Sequence, residues 1–103
     1  MSSYRETEIQ VIRWAEDRRI IPNSTPMAQA IKTLEEVTEL LSALHRGDRE
    51  EMIDAYGDVL VTLILGAALA DVDLPRCLEA AYEQIKDRRG TLRADGVFVK
   101  EAP

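Results

Sequence analysis

Residues 55–70 read AYGDVLVTLILGAALA, which puts apolar side chains on nearly every face of a helix. Such a helix must be covered all round. In a chain of 103 residues three other helices can hardly cover it, so the sequence predicts that a second subunit packs there across a two-fold axis, giving a homodimer or homotetramer. The weakly charged run Val59 to Ala70 is closed by Asp58 and Asp71, and it is shorter than the roughly 20 residues of a bilayer span. A soluble chain with no membrane partner is therefore expected. Met1 to Glu6 is polar and has no apolar run of the signal-peptide kind. A lone cysteine, Cys77, excludes an internal disulfide framework and a thiolate zinc site; it fits a reducing compartment, with the thiol packed as a small hydrophobe. The expected location is cytoplasmic.

Strand-like alternation is nearly absent, and Gly and Pro fall mainly between periodic segments, so the sequence predicts an all-α domain of four helices and a short tail. The first helix spans about 4–19, with Ser3 and Glu6 as a capping box and Ile9, Val11 and Ile12 on its apolar side. Ile21 to Ser24 reads as a loop. Thr25 and Pro26 open a second helix over about 25–46, with Met27, Ile31, Leu34, Leu41 and Leu44 at helical spacing and Gly47 as its stop. Asp48 and Glu51 cap a third over about 49–70, and the fourth spans about 75–89. The segment from Gly90 to Pro103 has turn chemistry and no clear period. His45 sits in the last turn of the second helix, where the helix dipole favours it.

At about 100° per residue, Glu36 and Glu39 share one face of the second helix, and Glu51, Asp54 and Asp58 share one face of the third. The short turn between these helices makes them antiparallel neighbours, so the two acidic stripes can face each other. Two like charges at 4 Å repel by about 1 kcal/mol in water and about 4 kcal/mol at an effective dielectric of 20. Oxygen-only ligands with almost no histidine suit a hard divalent cation, and Mg²⁺ above all takes a few carboxylates and completes its shell with water and substrate phosphate. The alternative is a set of solvated acids paired with Lys32, Arg46 or Arg49. Asp58 favours the metal reading, because it precedes large aliphatics on the most apolar helix, where an unpaired carboxylate is costly. A di-iron or di-manganese bundle is set aside, since His45 does not follow any Glu by three residues.

The net charge of −6, from 19 acids and 13 bases, argues against a nucleic-acid partner. It also means that an anionic substrate needs local positive charge. Lys86, Arg88 and Arg89 near the end of the fourth helix, with Lys100 in the tail, can bind phosphate oxygens, although helix-end bases also simply complement the dipole. Trp14 offers a platform for a nucleobase, with Gln10 one turn earlier as a hydrogen-bonding group; the competing reading is a core tryptophan. Tyr56, Tyr82 and Phe98 read as packing residues, Phe98 pinning the tail.

EEVTE at 35–39, followed by DAYGDVLVTLI at 54–64, resembles the EExxE and ExxD motifs of the MazG-like all-α nucleoside triphosphate pyrophosphohydrolases. AYEQIKDRRG at 81–90 and GVFVK at 96–100 resemble the closing segment of the small single-domain members. The resemblance runs from Met27 to Lys100 with order and spacing kept. It implies a single MazG-like domain over 1–103, a four-helix module completed by subunit association. It further implies Mg²⁺-dependent cleavage of a nucleoside triphosphate, ribo or deoxy, to monophosphate and pyrophosphate, Mn²⁺ being a substitute metal. Carried over by position, Glu36, Glu39 and Asp58 become metal ligands, and Glu35 is a further ligand or orients the attacking water. The Glu of ExxD falls on Ala55, so Asp54, one residue earlier and on the face of Asp58, or Glu51 takes its place. Lys86 and Arg89 stabilise the departing pyrophosphate, and Trp14, Gln10, Arg88 and Lys100 bind substrate. The competing readings are a related enzyme acting on dUTP or phosphoribosyl-ATP and a non-enzymatic acidic helical interaction module.

Overall fold

Ser3, Thr25 and Asp48 each end an extended segment and start a helix. The side-chain oxygen of each accepts a hydrogen bond from a backbone N–H three residues on: Glu6 at 3.2 Å, Ala28 at 3.0 Å and Glu51 at 3.2 Å. In the computed structural model, which describes residues 2–101, these caps open α1 (Tyr4–Asp17), α3 (Pro26–Arg46) and α4 (Arg49–Leu69). A single helical turn, α2 (Ile20–Asn23), joins α1 to α3, and α5 (Leu74–Ile85) follows α4. The chain ends in an antiparallel hairpin of β1 (Gly90–Leu92) and β2 (Phe98–Lys100), in which Leu92 pairs with Phe98 and Gly90 with Lys100. Gly47 closes α3 in the left-handed conformation (φ 69°), which costs a residue without Cβ nothing. The N–H groups of Gly47 and Asp48 then return to the carbonyls of Leu44 and Ala43, turning the chain directly into α4.

α3 and α4 form the main packed pair. Ala43 and Ala55 are nearly inaccessible, and their small side chains let the two helices approach closely. Further along, the Thr33 hydroxyl donates to that of Thr62 at 2.7 Å, which in turn donates to the Val59 carbonyl at 2.8 Å. The buried Thr62 hydroxyl is thereby satisfied. α1 lies against α4, with Ala15, Ile64 and Leu65 buried. A buried acid, Glu8, pairs with Arg5, which also reaches Asp73 at 2.9 Å and so ties α1 to the connection between α4 and α5.

The rest of the apolar surface is uncovered. The chain exposes 8196 Å², whereas a compact monomer of 11.6 kDa exposes about 5,800 Å². Its radius of gyration is 16.1 Å, against about 13 Å for a compact domain of this length. On α3 the stripe Met27, Ile31, Leu34, Leu41 and Leu44 points away from α4 into solvent, as do Ile53, Tyr56, Leu60 and Leu63 on α4. Leu78, Tyr82 and Ile85 make a third exposed stripe along α5. By length and composition α4, with 21 residues and a mean hydropathy of 1.7 in its most apolar window, is also able to cross a membrane. In the single chain it packs against α3 and α1 and carries Asp54 and Asp58 in its first half.

Several sequence expectations are corrected. α1 stops at Asp17 rather than near residue 19, and the expected loop at 21–24 is largely a helical turn, with Ile21 itself non-helical (φ −99°, ψ 124°). α5 stops at Ile85, four residues before Arg89, so Arg88 and Arg89 lie beyond the helix and do not serve its dipole. The tail contains paired strands: Asp95 and Gly96 (φ 88°) supply the turn, and strands of three residues are too short to show alternation. Cys77 is exposed, not packed. Tyr56, Tyr82 and Phe98 remain about half exposed in the single chain, and the Phe98 ring rests over Gly90, where a Cβ would lie 2.7 Å from it.

The close approach at Ala43 leaves no room for a larger group. Ala43→Leu is expected to cost about 1–3 kcal/mol by overpacking, read as a lower urea midpoint with an unchanged m-value.

Candidate active site

Glu36 and Glu39 sit on the face of α3 that meets α4, because they fall one turn apart in register with Thr33 and Ala43 on the contact surface. Asp58 stands opposite on α4. One carboxylate oxygen from each of Glu36, Glu39 and Asp58 lies within 4.8 Å of the others. Oε1 of Glu36 is 3.7 Å from the Lys32 ammonium, while its Oε2 is shut off from solvent and has no hydrogen-bond partner. Desolvation raises the Asp58 pKa above its ordinary 3.8, the charges of Asp54 and Glu36 raise it further, and Lys32 acts in the opposite sense. Three convergent hard oxygens, with a buried and unpartnered oxygen on Glu36, fit a divalent cation such as Mg²⁺ or Mn²⁺, and Glu36, Glu39 and Asp58 would hold it.

Two clefts flank this cluster. The first, about 320 Å³, is lined by Glu39, Ser42, Arg46, Glu51, Asp54 and Asp58. There Arg46 pairs with Glu51 across the α3–α4 turn and donates to the Ser42 hydroxyl. The second lies on the α1 side of Asp58. It is formed by a cavity of about 500 Å³, walled in part by Trp14, Gln29, Lys32 and Glu36, and one of about 410 Å³ to which Gln10, Trp14 and Val61 contribute. Trp14 is 45% exposed and therefore not a core residue; the Arg18 guanidinium carbon lies 5.5 Å from its ring centre.

The structure thus brings Glu36, Glu39 and Asp58 together, with Asp54 close enough to Asp58 to act on its pKa, and sets Trp14 and Gln10 along the adjoining cleft. Glu51 is engaged by Arg46, and Ala55 is buried against α3. Glu35 lies outside the cluster, 62% exposed, and accepts from Lys32 at 2.9 Å. Lys86 pairs with Glu83 at 2.8 Å, and none of Lys86, Arg88, Arg89 and Lys100 lines either cleft. Two cations do: Lys32 and Arg46. The sequence offers them only as surface partners of acids, yet Lys32 is four residues before Glu36 and Arg46 seven after Glu39, which are same-face spacings. The hydrogen bond that Lys32 donates to Glu35 and the charge of Glu35, with those of Glu36 and Glu39 adding, raise the Lys32 pKa, so the ammonium stays charged.

The MazG nucleotide pyrophosphohydrolase domain matches residues 24–92 of this chain. An uncharacterized 18.2 kDa protein from the rep–hol intergenic region of Haemophilus phage HP1 (strain HP1c1) is 32% identical over 73 residues, which are 71% of this chain and 45% of that protein. The chain thus spans less than half the length of this relative. A solved structure of a cyanophage S-2L MazG-like pyrophosphohydrolase, bound to dGDP and three catalytic Mn²⁺ ions per active site, matches with a TM-score of 0.77 at 22% identity, covering 99% of this chain and 96% of that one. The all-α fold is the same.

Because the folded-state pKa of Asp58 is raised, ionising this group opposes folding of the metal-free protein, whose stability falls as pH rises from about 3.8 through the raised value. Asp58→Asn is therefore expected to raise the melting temperature of the metal-free protein at neutral pH and to abolish the further rise that Mg²⁺ gives the parent. Differential scanning calorimetry with and without the cation reads both signs.

Proposed function

The chain belongs to the MazG nucleotide pyrophosphohydrolase family, and on that premise we propose that it hydrolyses a nucleoside triphosphate between the α and β phosphates, releasing monophosphate and pyrophosphate. The observation that carries this reading is the convergence of Glu36, Glu39 and Asp58 within 4.8 Å beside the Trp14 cleft. In a protein of net charge −6, a triphosphate is drawn to Glu36, Glu39, Glu51, Asp54 and Asp58 only where cations reverse the local sign. Glu36, Glu39 and Asp58 would hold Mg²⁺, or Mn²⁺ as a substitute, which would supply positive charge, Lewis acidity toward the α-phosphate and a more acidic water.

The remaining steps belong to side chains. Trp14 stacks on the base, Gln10 hydrogen-bonds to it, and both orient the nucleoside so that the α-phosphate meets the acids. Lys32 exchanges its carboxylate partners for phosphate oxygen, which frees Glu35 to orient the attacking water. Asp54, next to Asp58 and free of a cationic partner among the described ion pairs, completes the acidic shell in preference to Glu51, which Arg46 already holds. The outward apolar stripes of α3, α4 and α5 support assembly into a homo-oligomer, which covers them without lipid. The same net charge supports a free nucleotide rather than a nucleic acid as partner.

The test is to incubate the protein in Mg²⁺ with a panel of ribo, deoxy and modified triphosphates, dUTP and phosphoribosyl-ATP included, and to identify the products. Monophosphate plus pyrophosphate is expected; orthophosphate release, or no turnover, overturns the assignment. Glu36→Gln and Asp58→Asn are each expected to lower kcat by about a thousandfold or more, since several kcal/mol of transition-state stabilisation depend on the bound cation and 1.36 kcal/mol is tenfold. Trp14→Ala should raise KM by about tenfold, equal to the loss of one base stack of about 1–3 kcal/mol.

A further inference from the structure

One cation beside Trp14 takes no part in the chemistry at the acids. Arg18 follows directly on α1, and its guanidinium carbon lies 5.5 Å from the centre of the Trp14 ring. No ion pair among the described residues involves it, whereas Lys32, which lines the Trp14 cleft, is engaged by Glu35 and Glu36. The backbone fixes its place. The N–H of Arg18 donates to the Trp14 carbonyl at 3.0 Å, and Arg19 then turns the chain in the left-handed conformation (φ 62°), which residues other than glycine rarely adopt. The Asn23 amide holds that reversal by donating to the Arg19 carbonyl at 2.8 Å. Ile20 thereby enters the wall of the cleft, and the Arg18 side chain is left over the indole.

Gln10, Trp14 and Arg18 follow one another at intervals of four residues, so an amide and a guanidinium flank the indole along one side of α1 and its end. The two groups read a stacked base differently. An amide offers one acceptor and a donor, and every base has an edge on which an acceptor adjoins a donor, so Gln10 discriminates little. A guanidinium is a planar fork of donors without an acceptor, and it pairs with two adjacent acceptors. Guanine has such a pair in O6 and N7, and cytosine has one in O2 and N3. Adenine instead sets its amino group between N1 and N7, and uracil and thymine set N3–H between their two carbonyls. The dipole at the end of α1 favours a cation at this position, but a lysine answers it equally well; only the fork selects a pair of acceptors.

We propose that Arg18 determines base specificity: a base stacked on Trp14 displaces the guanidinium to its rim, where paired N–H donors select guanine and cytosine over adenine, uracil and thymine. The inference rests on the pyrophosphohydrolase reading for the nucleotide as ligand and adds to it the class of base. No carboxylate has to release Arg18 first, so its guanidinium is free to follow the edge of the base. A bidentate arginine contact with a base edge discriminates by about tenfold or more, and that factor is what Arg18 contributes.

Trp14 is the only tryptophan of the chain, so its fluorescence reports stacking without any need for turnover. The intact chain is titrated in Mg²⁺ with GMP, CMP, AMP and UMP, and with 7-deaza-GMP, in which a C–H replaces the N7 acceptor. GMP and CMP are expected to quench with dissociation constants about tenfold lower than those of AMP, UMP and 7-deaza-GMP. Arg18→Lys keeps the charge and loses the fork: the constants for GMP and CMP are expected to rise to the AMP level, while those for AMP and UMP stay within about twofold. Any other order of affinity in the wild type, a preference that survives in Arg18→Lys, a uniform weakening of all five nucleotides in that variant, or quenching by none of them overturns the inference. Pyrophosphate release from the corresponding triphosphates is measured alongside. If none is cleaved the functional reading fails, and the quenching pattern still decides the role of Arg18.

Discussion

The antiparallel contact between α3 and α4 is the constraint from which the rest follows. Ala43 and Ala55 keep the helix axes close, the Thr33–Thr62 hydrogen bond fixes their relative height, and Gly47 forces the reversal between them. At that spacing Glu36 and Glu39 have no choice but to face Asp58. The desolvation and repulsion this creates, visible in the raised Asp58 pKa and in the unsatisfied Oε2 of Glu36, are a cost that the helical packing bears in the metal-free protein. Bound cation and phosphate would turn the same arrangement from a liability into an affinity.

The acids are only part of a site, and the fold arranges the other parts around them by position along the helices. α1 crosses α4 so that Trp14 and Gln10 border one side of Asp58, while the α3–α4 turn brings Arg46, Ser42 and Glu51 to the other. On the proposed function this would give a nucleotide a direction, with its base toward α1, its α-phosphate at the carboxylates and its terminal phosphates toward the turn, the end at which positive charge is most needed. Arg46 stands at that end and Lys32 on the α1 side, while Lys86, Arg88 and Arg89 follow α5 and Lys100 lies on the hairpin. The chain exposes 8196 Å², with three apolar stripes facing outward, the surface that the proposed homo-oligomer would cover.

The helices and the membership in an all-α family were legible because their signals are local. Ser3, Thr25 and Asp48 cap where capping chemistry says they should, and a five-residue acidic motif keeps its register on a helix whatever surrounds it. The hairpin was not legible, since strands of three residues cannot show a period and their pairing depends on a turn at Asp95 and Gly96. The end of α5 at Ile85 was also hidden: the basic residues that follow are good helix formers, and nothing local stops the helix before Gly90. Arg46 and Lys32 were passed over because a base beside an acid on a helix face is usually solvated, and only the partner helix shows which face is enclosed.

By itself, then, the amino-acid order determined which segments wind into helices, which acids share a face, and that too much apolar surface exists for one chain to cover; each of these depends on residues within a few turns of one another. Tertiary structure alone decided that the most apolar stripe of α3 faces outward, that Asp54 rather than Glu51 is left unpaired beside Asp58, and that Lys86, Arg88, Arg89 and Lys100 line neither cleft beside Glu36, Glu39 and Asp58. Those outcomes turn on how helices rotate about their axes and where the chain reverses, and such long-range geometry has no signature in any single stretch of sequence.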